Sequence, residues 1–252
     1  MEFVTLGRTG LKVSRLGFGG IPIQKIDAEG TKVLVHKMVD NGVNYIDTAR
    51  GYTVSEEYLG YALEGVRDKF ILATKSMSRT KEAMEKDIAI SQTNLRTDYI
   101  DLYQVHNATP ADVETVCAPG GALEALQEAK AAGKIGHIGV TAHTLQAFEK
   151  AVDLDWVETI MFPYNIVETQ GEELIRQCRE KNIGFVCSDT GKLLKSLAEE
   201  NEGADIVLLD PARAGCDRAT LEALLTMMPR RIVYISCNPE TLARDLVTLV
   251  RG

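Results

Sequence analysis

The sequence predicts an α/β protein of (β/α)8-barrel-like architecture, and three observations predict it. Short β-rich runs alternate with longer amphipathic stretches from one end of the chain to the other. The β-rich runs begin every 23 to 35 residues, the repeat of a βα unit. The length, 252 residues, suits one such barrel with little left over.

In chain order, a Gly7-Arg8-Thr9-Gly10 turn within residues 3–13 reads as a hairpin ahead of the barrel. Strands are predicted at 15–19, 44–48, 70–74, 100–106, 135–141, 159–164, 183–187, 206–210 and 232–237. They are continuous apolar runs, as a parallel sheet covered on both faces requires. Helices are predicted at 28–41, 55–66, 81–95, 122–132, 145–152, 171–181, 193–201, 219–228 and 240–250. Nine strands are one more than closes a barrel. Either one run is not a strand, or the barrel is not a standard one.

Composition excludes several function classes. With 45% hydrophobic and 25% charged residues the chain is an ordinary globular protein, neither collagenous nor disordered. No apolar run reaches the roughly 18 to 20 residues that cross a bilayer. The start, Met1-Glu2-Phe3-Val4-Thr5, carries no basic-then-apolar export pattern, which predicts a cytoplasmic protein. Five cysteines without a C-x-x-C pair predict reduced thiols and no metal site. A net charge of −8 weighs against broad attraction to nucleic acid.

Four groups at or just after predicted strand ends could act together: Asp47 and Tyr52 in Y-I-D-T-A-R-G-Y, Lys75 in F-I-L-A-T-K, and His106 in D-L-Y-Q-V-H-N. In a parallel barrel the carboxyl ends of the strands share the face where active sites form. Hydride delivered to a carbonyl carbon leaves an alkoxide that needs a proton. A phenol can supply it, and an adjacent ammonium would lower the phenol's pKa toward the working range. Lys75, held by Asp47, would do this to Tyr52 while His106 orients the carbonyl oxygen. Each residue alone is also a common type at a strand end.

Residues 3–187 resemble the aldo-keto reductase family. The resemblance rests on L-G-R-T-G-L-K-V-S-R-L-G-F-G-G, Y-I-D-T-A-R-G-Y with S-E-E-Y-L-G following, F-I-L-A-T-K, D-Y-I-D-L-Y-Q-V-H-N, G-K-I-G-H-I-G-V-T-A-H and F-P-Y-N, in that order. It implies a (β/α)8 barrel, NADPH as the usual cofactor, and Asp47, Tyr52, Lys75 and His106 as the catalytic tetrad with Tyr52 as general acid. Gly17-Phe18-Gly19-Gly20 lacks the G-x-G-x-x-G spacing of a dinucleotide fingerprint. By the resemblance Gly19 instead lies beside the nicotinamide. Thr141, Ala142 and His143 stand where a Ser-Asn pair often holds the carboxamide, and Met161 where Gln is frequent. Asn165 matches F-P-Y-N. The cofactor contacts implied are thus Gly19, Thr141, His143 and Asn165.

The last quarter departs from that family. It reads A-D-I-V-L-L-D-P-A-R-A-G-C from Ala204 to Cys216 and R-I-V-Y-I-S-C-N-P-E-T-L-A-R-D-L from Arg231 to Leu246. Residues 188–252 resemble the C-terminal part of uracil-C5 RNA methyltransferases, which use S-adenosylmethionine. The resemblance makes Cys237 the nucleophile that adds to C6 of uracil, with Asp210 and Arg213 helping to hold the base. Yet these residues include no glycine-rich turn for S-adenosylmethionine. From Asp205 to Gly252 six arginines meet six carboxylates, which leaves no basic footprint for RNA.

The chain is therefore expected to be a chimera: a partial reductase barrel over 1–187, and half of a Rossmann-like methyltransferase domain over 188–252. The 206–210 strand would fill the eighth barrel position, with 232–237 a ninth strand or packed outside. Three functions follow as alternatives. The first is an NADPH-dependent reductase of a small aldehyde or ketone, binding NADPH weakly because no basic cluster follows the eighth strand. The second is a methyltransferase or its inert remnant, and the third a chimera without catalysis. Neither a nucleic-acid nor a membrane partner is expected.

Overall fold

The computed structural model describes residues 1–164, 170–187, 206–209, 216, 218–228, 231–234 and 239–251. They fall into two compact units: Met1–Phe162 with Gln170–Val186, and Pro163–Thr169 with Cys187–Gly252.

The first unit opens with the hairpin. Strands β1 (Phe3–Thr5) and β2 (Lys12–Ser14) pair antiparallel. Gly10 sits at φ 73°, a left-handed value that glycine adopts without strain, and this lets the turn close. Leu6 and Val13 are buried with Tyr45, Ala73 and Leu102, so the hairpin is packed by apolar residues of the sheet that follows.

That sheet is parallel and seven-stranded, in the order β3 (Gly17–Gly19), β4 (Tyr45–Asp47), β5 (Ile71–Ser76), β6 (Ile100–Val105), β7 (Ile135–Thr141), β8 (Thr159–Phe162) and β9 (Gly184–Cys187). Sequence order equals spatial order, so each strand is laid beside the previous one by a helical crossover. Helices α1 (Ala28–Asp40), α2 (Ser55–Ala62), α3 (Lys81–Asn94), α4 (Pro110–Cys117), α5 (Ala122–Ala131), α6 (Leu145–Val152) and α7 (Glu172–Glu180) form the crossovers. In β5 every residue from Leu72 to Ser76 is buried, so the apolar run Ile71–Ala73 continues into the buried polar residues Thr74, Lys75 and Ser76.

Local sequence sets the helix starts. The Asp27 side chain accepts from Gly30 N at 2.7 Å to cap α1. At α4 Thr109 and Asp112 form a reciprocal capping box around Pro110. This helix was absent from the sequence expectation. Thr-Pro-x-Asp was its start signal, but eight residues are too few for a clear period.

A glycine fixes how closely α2 approaches α3. A methyl on Gly60 would lie 2.0 Å from the Asn94 carbonyl oxygen. Gly60→Ala is therefore expected to cost about 1–3 kcal/mol by forcing the helices apart. The midpoint of urea unfolding would show it; an unchanged midpoint would mean that the helices part freely.

The second unit contains β10 (Ile206–Leu209), α8 (Arg218–Met227), β11 (Arg231–Tyr234) and α9 (Pro239–Arg251). β10 and β11 pair in parallel with α8 between them, a βαβ arrangement. The buried carboxylate of Asp245 accepts from Cys216 N at 2.7 Å and ties α9 to the segment before α8.

A strand thus overlaps each of the nine predicted runs, with bounds that differ by at most three residues and coincide at 135–141. The structure assigns seven of them to one sheet and the last two to a separate pair. The predicted helix at 193–201 lies outside the described residues. Among those residues no helix is long and apolar enough to cross a membrane, and no group of His, Cys, Asp or Glu could hold a metal ion.

Candidate active site

The strand ends position the four predicted residues. Asp47 is the last residue of β4, Lys75 lies one residue from the end of β5, and His106 follows β6 directly. Tyr52 stands in the loop from β4 to α2. That loop is fastened to the next strand, where Thr48 N donates to Ala73 O and Arg50 N to Lys75 O, each at 2.9 Å.

Lys75 is 2% exposed, and burial of an ammonium requires partners. It pairs with the Asp47 carboxylate and donates to Thr48 O at 2.7 Å. Gln104 on β6 donates to the other Asp47 oxygen at 3.2 Å. Burial pulls Lys75 below its usual range, while the Asp47 contact opposes that shift. The ammonium lies 5.0 Å from the centre of the Tyr52 ring. The Tyr52 and His106 rings meet edge to face, with centroids 5.8 Å apart and planes at 85°. The structure therefore brings all four residues into one cluster.

The expected lowering of the Tyr52 pKa is not what the site does. Burial and the Asp47 charge push the phenol up to about 12. Lys75 is already paired with Asp47, so its field at the phenol is largely cancelled. Tyr52 consequently holds its proton at neutral pH. His106 is pushed down to about 4, by burial first and then by the charges of Lys75, His143 and Arg79. Its Nδ1 atom is buried without a partner.

That shift makes stability depend on pH. Between about 4 and the ordinary histidine value near 6.5, the unfolded chain binds the proton and the folded chain refuses it. The His106 contribution is therefore present above pH 6.5 and lost as pH falls toward 4. Urea midpoints measured across this window should fall less for His106→Gln than for the parent. Equal slopes would show that His106 keeps an ordinary pKa.

The residues expected at the cofactor divide. Gly19 pairs in register with Asp47, is exposed, and a methyl built there would meet nothing within 4 Å. Thr141 ends β7, and its hydroxyl oxygen accepts from Asn107 N at 2.8 Å, bracing the loop after His106. His143 is exposed and close enough to influence His106. Asn165 lies outside the described residues, as do Asp210, Arg213 and Cys237. The open space at Gly19, at the strand end paired with Asp47, fits a flat nicotinamide ring.

Sequence reasoning assigned no role to the carboxylates behind this cluster. Glu56 is buried and accepts from Arg50 Nη1, Thr74 Oγ1 and Ser91 Oγ, each at 2.8 Å. Asp87 lies 3.5 Å from Arg50 Nε and accepts from the Ser76 and Ser78 hydroxyls. The S-E-E-Y run was the only signal, since it puts a charge where α2 turns inward.

A family model described as the aldo/keto reductase family matches residues 15–205. The chain belongs to that family. Aldo-keto reductase YhdN of Bacillus subtilis (strain 168) is 31% identical over 84% of this chain and 70% of its own length. An aldo/keto reductase from Klebsiella pneumoniae, solved in complex with NADP and acetate, shares the fold at TM-score 0.63. It is 21% identical over 98% of this chain and 89% of that one. An uncharacterized RNA methyltransferase of Clostridium tetani (strain Massachusetts / E88) is 42% identical over 74 residues, 29% of this chain but 16% of that protein. The aldo/keto reductase chain thus carries a methyltransferase-like part, and the sequence is a chimera of the two.

Proposed function

We propose that this aldo/keto reductase chain reduces a small aldehyde or ketone to the alcohol with NADPH, and that Asp47, Tyr52, Lys75 and His106 do the work. The observation that carries this reading is the single cluster the four form at the ends of neighbouring parallel strands. NADPH, when bound, supplies the hydride; Gly19, Thr141, His143 and Asn165 would hold its nicotinamide end.

The chain's own residues handle the proton. His106, neutral at pH 7, presents one ring N–H to the carbonyl oxygen and fixes its position. Tyr52 gives its phenolic proton to that oxygen as negative charge develops there. The Lys75 ammonium, 5.0 Å from the centre of the Tyr52 ring, offsets part of the charge on the phenolate left behind, while burial and Asp47 keep that phenolate a strong base that is readily reprotonated. Asp47 keeps Lys75 charged and in place, so it serves the step through Lys75.

The domain division at 187/188 belongs to the same proposal. The parallel β10–α8–β11 unit supports a Rossmann-like origin for the second part. The departure of residues 188–252 from the family's pattern would leave the adenosine end of NADPH without the family's own C-terminal grip. Weak NADPH binding is therefore expected, with nicotinamide fluorescence saturating at micromolar concentrations or above. Submicromolar affinity would contradict the loss of grip.

The second reading, uracil methylation through Cys237 with Asp210 and Arg213, draws support from the methyltransferase relative. Calorimetric titration with S-adenosylmethionine separates the two: heat of binding would favour methyl transfer, and no heat together with NADPH binding favours reduction. Silence toward both would favour a chimera without catalysis. A cytoplasmic location, without nucleic-acid or membrane partners, completes the proposal.

A further inference from the structure

We infer that Glu56 is a positioning residue that holds the Tyr52 loop and the Lys75 strand in one frame. This inference rests on the reductase reading for its effect on turnover, but the positioning itself can be tested without it.

The carboxylate is 1% exposed, and a buried charge survives only when its lone pairs are filled. Its partners come from three places. Arg50, two residues before Tyr52, donates to Oε2 at 2.8 Å. Thr74, the residue before Lys75, donates to Oε1 at 2.8 Å. Ser91 and Asn94 on α3 donate at 2.8 and 3.3 Å. One side chain thereby fastens the general-acid loop, the lysine strand and the helix behind them. Ser55, next to Glu56, binds the same loop through Thr48 Oγ1 at 2.8 Å and the end of β3 through Gly20 O at 2.9 Å.

The energetic logic favours positioning over simple stability. A buried ion pair with charged hydrogen bonds is a weak source of net stability, because desolvation offsets most of the attraction. It is rigid, though, because any displacement leaves a charge unsolvated. Rigidity at the Tyr52 loop matters, since a misplacement of about 1 Å can cost on the order of 100-fold in rate. Asp87 holds the far side of Arg50 and fastens Ser76, the residue after Lys75, so the frame closes around both functional segments.

The test compares Glu56→Gln, Thr74→Val and Asp101→Asn with the parent. Glu56→Gln keeps the shape but sets an amide N–H₂ among donors. Thr74→Val keeps the carboxylate and removes only the strand link, so it serves if the first variant fails to fold. Asp101 accepts from Arg67 at 2.6 Å and Leu72 N at 3.0 Å at the start of β5, and its variant controls for generic destabilisation. Hydrogen exchange by mass spectrometry reads the ligand-free proteins. Exchange in the peptide spanning 48–55 should rise about tenfold in Glu56→Gln, less in Thr74→Val, and not in Asp101→Asn. With NADPH and a carbonyl substrate, kcat should fall roughly 10- to 100-fold in Glu56→Gln with KM nearly unchanged. Unchanged exchange in 48–55, or kcat within twofold of the parent, would overturn the inference. A parent without carbonyl reduction would sink the reductase reading, and the exchange comparison would still decide the role of Glu56.

Discussion

Tyr52→Phe is expected to abolish carbonyl reduction while leaving the fold and NADPH binding intact. The substitution removes one oxygen from a half-buried ring whose hydroxyl makes no hydrogen bond among the described residues. The ring keeps its edge contact with His106 and its place over the Lys75 ammonium. What is lost is the proton donor. General acid catalysis by a placed group contributes about 10² to 10⁴-fold, and a reduction that must draw its proton from water should slow by that factor. Steady-state oxidation of NADPH measures it, with nicotinamide fluorescence as the check on binding. Because the phenol is pushed up to about 12, the parent's kcat should stay flat from pH 7 to 9, without the fall that a lowered phenol pKa would give. If Tyr52→Phe retains more than a tenth of the parent rate, Tyr52 is not the acid.

The contrast between what the sequence disclosed and what it hid is physical. Asp47, Lys75 and His106 could be placed at one face because strand ends in a parallel βα repeat share a face, and the period of the apolar runs locates those ends. Polar residues at the last positions of buried strands stand out in the pattern. The pKa of Tyr52 could not be read in this way. Its sign depends on whether Lys75 is free or already neutralised, and that is decided by the Asp47 contact and by burial. Glu56 was hidden for a related reason. Its partners stand 6, 18, 35 and 38 residues away, so no local spacing announces them. The nine predicted strands were sound as strands, but their division into seven and two depends on pairing, which apolar runs do not encode.

Lys75→Met should produce the largest combined loss of stability and activity. Methionine fills a similar volume, so little of the effect is a cavity. The cost arises at Asp47, whose side chain is 15% exposed and would keep only the 3.2 Å bond from Gln104. Breaking a buried ion pair by removing one partner typically costs about 3–5 kcal/mol, against a total stability of about 5–15 kcal/mol. Urea unfolding would show this as a lower midpoint with an unchanged slope. The loss should shrink as the pH falls. Burial already raises the Asp47 pKa, and losing Lys75 raises it further, so the folded variant takes up a proton before the unfolded chain does and is stabilised as it does so. Adding Asp47→Asn removes the stranded charge altogether. The double variant should recover most of the stability and none of the activity, because the ammonium that lies over the Tyr52 ring would still be missing. Recovery of both would mean that the pair serves the fold alone. Recovery of neither would mean that Lys75 stabilises the sheet through Thr48 rather than through Asp47.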